Sequence, residues 1–165
     1  MTMIHYEIKN AELCDMEKCL FTIHLAFGDM AERYGYTKET YPSSGAYLTL
    51  DDLRAAKERG VHMYAAWVKD TVAGYVQLEK VRDGVYAFRR FAVLPEYQNL
   101  GIGRALIKHC RKKATSYGGR KITLVMNYDN TVLRAFYESN GFRLIDTEIS
   151  SDYPFTVANM VLELQ

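Results

Sequence analysis

Between residues 93 and 106 the hydrophobic period of the chain changes, and that change limits the available folds more than any other feature. Upstream, residues 61–68, 72–81 and 85–93 are rich in valine and other strand formers and are separated only by "KD" and "RDG". Connections this short fit tight turns, so the runs predict an antiparallel meander. Downstream the apolar residues recur at helical spacing over 101–117. A strand at 121–127, a helix at 130–140 and strands at 142–149 and 157–164 follow. A strand that leads through a helix into another strand makes a βαβ unit.

The first third of the chain adds a short strand over 6–9 and a helix carrying Leu13, Met16, Leu20, Ile23, His24 and Phe27, with Asn10 available as its N-cap. A second helix starts at "TLDD", where Thr49 and Asp52 have capping-box spacing, and stops at Gly60. The predicted class is α/β, a mixed and mostly antiparallel central sheet with a βαβ unit and helices on both faces. No repeat, low-complexity stretch or Pro/Ser-rich linker divides the sequence, so a single domain over 1–165 is expected.

Composition narrows the function. A formal charge of +1 over 165 residues creates no global field for nucleic acid or an anionic membrane. The start, "MTMIHYEIKN", alternates like a strand and lacks a signal peptide's apolar core, and no apolar run approaches the roughly 18 residues of a membrane span. A cytoplasmic protein with neither nucleic-acid nor membrane partners is the expectation. The three cysteines, Cys14, Cys19 and Cys110, include no CxxC pair and read as free core thiols, and no metal-ligand spacing is present.

"LPEYQNLGIGRAL", residues 94–106, is where the period changes. A helix start leaves backbone N–H groups without intrahelical partners and carries partial positive charge, so it attracts anions. Gly101 and Gly103 allow close backbone approach, as a diphosphate requires, and Asn99 is the good N-cap residue nearby. A nucleotide P-loop would need Gly-Lys-Ser/Thr where Gly103 precedes Arg104 and Ala105, and a dinucleotide fingerprint would need a small residue at Leu106. The following helix adds a local cationic stripe of Arg104, Lys108, Arg111 and Lys112, with no acidic residue between Arg104 and Lys121.

"VLPEYQNLGIG", residues 93–103, resembles the V-x-P-x-x-Q/R-x-x-G-x-G/A motif of the GNAT family of N-acetyltransferases. "NTVLRAFYESNGF", residues 130–142, is similar to that family's N-x-x-A/L-x-x-F-Y-x-x-x-G-F segment. The likeness covers residues 61–149 and is silent on 28–60. It implies the GNAT-like acyl-CoA N-acyltransferase fold, acetyl-coenzyme A (acetyl-CoA) as cofactor, and a splay between the strand carrying "RFAV" and the strand carrying "ITLVMN". The backbone of Phe91, Ala92 and Val93 would then hold the pantetheine arm. Gln98, Asn99, Leu100, Gly101, Ile102, Gly103 and Arg104 would surround the diphosphate, and Asn130 would support the cofactor from the other side.

Acetyl transfer to an amine needs a deprotonated nucleophile, a stabilised oxyanion and a protonated leaving thiolate. Freeing a lysine-like amine of its proton at pH 7 costs roughly 4.6 kcal/mol. Many family members place a carboxylate before the glycine turn, but the corresponding residue here is Ala87; Glu79 on the adjacent strand is the substitute candidate, directly or through water, with His62 behind it. The Val93 N–H is the natural oxyanion donor if its strand is bulged or splayed. Tyr137 resembles the family's general acid and would also contact the cofactor.

The reading is an acetyl-CoA-dependent N-acetyltransferase acting by direct transfer in a ternary complex on a primary amine of a small molecule, amino acid or peptide. The alternative is a non-catalytic acyl-CoA-binding sensor, which the missing carboxylate at Ala87 permits. Acceptor choice should fall to the first two helices, their connection and the late hairpin. There Tyr34, Tyr36, Tyr41 and Tyr47 form either an aromatic wall around a ligand or a packed loop. No acidic cluster marks a polycation site, which disfavours a polyamine. A homodimer paired through late strands is left open.

Overall fold

The computed structural model describes residues 3–164, so residues 1, 2 and 165 of the expected domain lie outside it. In chain order the elements are β1 (Glu7–Asn10), α1 (Met16–Tyr34), α2 (Leu50–Glu58), β2 (His62–Val68), β3 (Thr71–Arg82), β4 (Val85–Val93), α3 (Ile102–Ser116), β5 (Lys121–Asn127), α4 (Thr131–Ser139), β6 (Arg143–Ile149) and β7 (Thr156–Glu163). The strands form one sheet in the order β1-β2-β3-β4-β5-β7-β6. Among the described residues only β4 and β5 pair in parallel, as the α3 crossover between them requires.

Helices cover both faces of the sheet. Met16, Cys19 and Ile23 of α1 and Leu53 and Ala56 of α2 pack on Met63, Ala65, Val72 and Tyr75. On the other face Ile102, Leu106, Cys110 and Ala114 of α3 and Tyr137 of α4 pack on Val76, Leu78, Phe88, Ile122 and Met160. β2 and β3 are buried on both faces, which explains their near-continuous apolar runs.

The side-chain capping signal was accurate at α2. Thr49 Oγ1 accepts from the Asp52 N–H at 3.1 Å and Asp52 Oδ2 accepts from the Thr49 N–H at 2.9 Å, the expected reciprocal box. Asn10 does not cap α1. It is the last residue of β1, opposite Tyr64, and a 3-10 turn over Leu13–Asp15 intervenes before the helix. The helix also runs on past Phe27 to Tyr34, stopped by Gly35 at φ 70°. Of the three cysteines only Cys19 and Cys110 are core thiols; Cys14 is exposed, because it sits in that outer turn. Burial pushes the Cys19 thiol up to about 12, and the Cys110 thiol rises for the same reason.

The irregularities of β4 position the site. Tyr75 faces Ala92 and Gln77 faces Arg89, so β4 spends an extra residue opposite Val76 and bulges at Arg90, whose φ is +54°. Pairing with β5 covers only Val85–Ala87 against Lys121–Thr123, whereas β5 continues along β7 as far as Asn127. Beyond Ala87 the two parallel strands therefore separate.

Candidate active site

The separation frees backbone groups. The Leu94 N–H donates to Ala73 O at 2.9 Å, so residues 73 and 94 form a bonded pair of the antiparallel ladder. Val93, one position earlier and opposite Gly74, therefore turns its N–H and C=O away from β3, toward the side that β5 has left. Its carbonyl accepts from Gln98 Nε2 at 3.2 Å, which ties the turn to the end of the strand. The same alternation turns Phe91 toward the gap, while Ala92 pairs with Tyr75.

The turn itself is a row of unpaired donors. Among the described residues no backbone N–H from Asn99 to Arg104 has a hydrogen-bond partner; the first to bond is that of Ala105, to Gly101 O at 3.0 Å. Asn99 and Gly101 hold φ at 62° and 89°, which curls the chain so that successive amides face one concavity. Gly101, not Asn99, is the N-cap of α3, and no side chain caps that helix, because Asn99 has already turned into the left-handed region. Gly103 serves packing more than ligand approach. A methyl group there would stand 3.0 Å from Phe91 Cζ and 3.1 Å from Phe136 Cζ, two rings that stack at 6.0 Å. Arg104, Lys108, Arg111 and Lys112 are exposed and make no ion pair among the described residues, so Arg104 meets the glycine turn unneutralised, while the other three lie roughly 9–15 Å along α3 from its first residue. Leu100 is exposed beside it and Ile102 is buried beneath.

Tyr137 is buried against Phe88, Phe91, Phe136 and Phe142, and its hydroxyl has no hydrogen-bond partner among the described residues. Burial raises its pKa further above the ordinary tyrosine value, so it keeps its proton at neutral pH. Asn130 is buried and caps α4, its Oδ1 accepting from the Leu133 N–H at 3.2 Å.

The other candidates lie on the α1–α2 face or away from the gap. Glu79 stands directly across the ladder from Ala87, in a cleft of about 350 Å³ between α2, residues 42–48 and the β3–β4 ribbon. Its Oε1 accepts from Arg89 at 3.1 Å and its Oε2 lies 3.5 Å from Arg59. His62 stacks on Tyr117 at 4.4 Å, at the C-terminal end of α3, and shares no lining with the cleft. The tyrosines of the α1–α2 connection form a packed loop. Tyr36 and Tyr41 make edge contact at 5.5 Å, and both lie 5.5 Å from Phe155 of the β6–β7 hairpin. Burial pushes the Tyr41 hydroxyl up to about 12.

Sequence reasoning missed two features. Asn127, at the end of β5, donates to the Tyr36 hydroxyl and so anchors the aromatic loop to the rim of the gap. Arg89 and Arg90 both line the cleft. Two consecutive arginines in an otherwise apolar strand break its alternation, and that break was the available signal for a bulge.

Among the described residues no helix is long and apolar enough to cross a membrane, and no cluster of His, Cys, Asp or Glu is arranged to hold a metal. A sheet splayed beside a helix N-terminus with unpaired amides is the architecture of an acyl-CoA N-acyltransferase. Residues 23–142 match the Acetyltransferase (GNAT) family, and the chain belongs to that family: it is an N-acetyltransferase with acetyl-CoA as donor. Over 128 residues, 76% of this chain and 77% of the relative, it is 26% identical to the spermidine N(1)-acetyltransferase of Thermoplasma acidophilum. Its fold is similar to that of the PaiA N-acetyltransferase of Thermoplasma acidophilum in complex with coenzyme A, with a TM-score of 0.81 at 21% identity over 97% of this chain and 99% of that one. It is also similar to the ribosomal-protein-S18-alanine N-acetyltransferase of Escherichia coli, with a TM-score of 0.76 at 18% identity over 98% and 95% of the two chains. Of the two classes open at the sequence level, family membership supports the enzyme.

Proposed function

We propose that the chain works as one catalytic domain that passes the acetyl group directly to a primary amine of a small molecule, amino acid or peptide, with donor and acceptor bound together. The observation that carries this reading is the Val93 amide, turned into the β4–β5 gap one loop away from the unpaired amides of Asn99–Arg104. The donor set fits the cofactor: a row of N–H groups at a helix N-terminus beside Arg104 suits a diphosphate, and free strand edges suit the amides of a pantetheine arm.

When bound, acetyl-CoA supplies an acyl group activated as a thioester. Gln98 to Arg104 hold the diphosphate, with Gln98 also fixing the turn to Val93 O. Phe91 and Val93 form the wall for the arm, with Ala92 between them tied to Tyr75 of β3, and Asn130, by starting α4 at the far rim, keeps Tyr137 in place. The Val93 N–H donates to negative charge developing on the acyl oxygen, in a gap walled by Phe88, Phe91 and Phe136 where such a bond is strengthened. The Tyr137 hydroxyl holds the proton for the departing sulfur. Glu79, across from Ala87, accepts the amine's proton through water.

Calorimetric titration with acetyl-CoA, alongside thiol release over a panel of amines, tests the assignment. Wild type should bind, and Gly101→Glu, which sets a carboxylate among the free amides, should lose binding while keeping its circular dichroism spectrum. Equal binding by a folded Gly101→Glu variant would overturn the placement of the cofactor in this turn.

A further inference from the structure

A regular strand sends consecutive side chains to opposite faces, yet β4 presents both Arg89 and Arg90 to the cleft under α2, because the bulge at Arg90 inserts the extra residue. Arg90 is half-buried. Its Nη1 donates to Ser43 O at 2.7 Å, and it forms no ion pair among the described residues. Desolvation lowers its pKa from the ordinary arginine value, although Tyr41 and Asp52 act in the opposite direction. The carboxylates of the cleft are already engaged. Glu79 is shared between Arg59 and Arg89, and Asp52 is held by the Thr49 amide as the N-terminal box of α2. Arg59, Arg89 and Arg90 thus face Glu79 and Asp52 with a positive surplus, centred on a guanidinium whose remaining donors have no partner among the described residues.

A partly desolvated guanidinium is stabilised by a planar anion that accepts two of its N–H groups. The cleft lies on the α1–α2 face, opposite the face covered by α3, and Arg90 is on the same strand as the free Val93 amide, three positions earlier. We infer that the acceptor amine carries a carboxylate, which Arg90 holds in this cleft together with Arg89, so that the substrate class is an amino acid or a peptide with a free carboxylate rather than a polyamine. The inference rests on the acetyltransferase reading, with the acceptor entering from the face opposite α3. It also separates this chain from its relative named for spermidine, because a polycation gains nothing from an arginine surplus.

Matched amines that differ only in the carboxylate test it: lysine against cadaverine, ornithine against putrescine and tyrosine against tyramine, with spermidine added. Each is assayed for acetyl-CoA-dependent thiol release with wild type, Arg90→Gln and Arg89→Gln, and acetyl-CoA affinity is measured on every variant. The carboxylate-bearing member should be preferred in kcat/KM by about tenfold or more, the worth of a charge-assisted pair. Arg90→Gln should erase that preference with acetyl-CoA affinity unchanged, and Arg89→Gln should reduce it. Preference for the diamines or spermidine, a preference that survives Arg90→Gln, or acetyl-CoA binding with no turnover of any carboxylate-bearing amine would each overturn the inference while leaving the cofactor site intact. Wild type that does not bind acetyl-CoA would remove the acetyltransferase reading, and this inference with it. If Arg90→Gln loses acetyl-CoA binding through misfolding, Arg89→Gln alone decides: no change in the preference overturns the inference.

Discussion

Gly103 lies so close to Phe91 that a β-carbon on it would stand 3.0 Å from the ring's Cζ. The first turn of α3 is thereby pressed onto the aromatic wall of the β4–β5 gap, and the free amides of the turn are held at a set distance from Val93. Gly103→Val should cost about 1–3 kcal/mol through overpacking and weaken acetyl-CoA binding, read by urea denaturation and calorimetry. Gly101→Ala meets open space but keeps a φ of +89°, so its cost, about 1–2 kcal/mol, is backbone strain alone.

Tyr137→Phe deletes a hydroxyl that has no hydrogen-bond partner among the described residues while keeping the ring in its aromatic cluster. Stability and acetyl-CoA affinity should be unchanged. If the hydroxyl is the proton donor, kcat falls by about a hundredfold or more, measured as steady-state thiol release. Unchanged kcat would remove Tyr137 from the chemistry and leave it as packing.

Glu79→Gln separates the roles of pair partner and base. Its arginine partners are half exposed, so thermal stability should change by less than about 1 kcal/mol. As a base Glu79 matters most where the acceptor amine is protonated. The rate deficit of the variant should therefore be largest near neutral pH and shrink as pH approaches the amine's own pKa, about 10 for a lysine-like amine. A deficit constant across that range would assign Glu79 to orienting Arg59 and Arg89 instead.

His62 and His109 give the fold an acid-sensitive margin. Burial, and then Lys113 nearby, hold both imidazoles below their ordinary value. As pH falls through about 6.5 the unfolded chain takes up protons before the folded one, so stability drops; above that range both states are neutral and the contribution is flat. The slope of melting temperature against pH between about 6.5 and 5 should be shallower in His62→Gln, His109→Gln than in wild type, whatever the absolute stability of the variant.

Asn130→Ala removes the side-chain cap of α4 and should cost about 1 kcal/mol, read by denaturant titration. Acetyl-CoA affinity falls along with it only if α4 must be seated for the cofactor to bind.

What the sequence determined by itself were the features set by neighbours along the chain. The meander, the βαβ unit, the Thr49–Asp52 box and the stop of α2 at Gly60 follow from period, turn chemistry and capping, all of which act within a few residues. The glycine turn was legible for the same reason, since unpaired amides at a helix start are a local property. The tertiary structure alone decided how those pieces meet. The Val93 amide is free only because β5 leaves β4 after Ala87, and a strand departing some thirty residues later in the chain writes nothing into "FAV". Gly103 reads as ligand approach in sequence and as ring packing in space, because Phe136 reaches it from another helix. Arg90 drew no reading from the sequence, and only the bulge turns it into the same cleft as Arg89, where Ser43 O meets it. Burial and surplus charge there come from distant elements brought to one point, and no local pattern encodes that meeting.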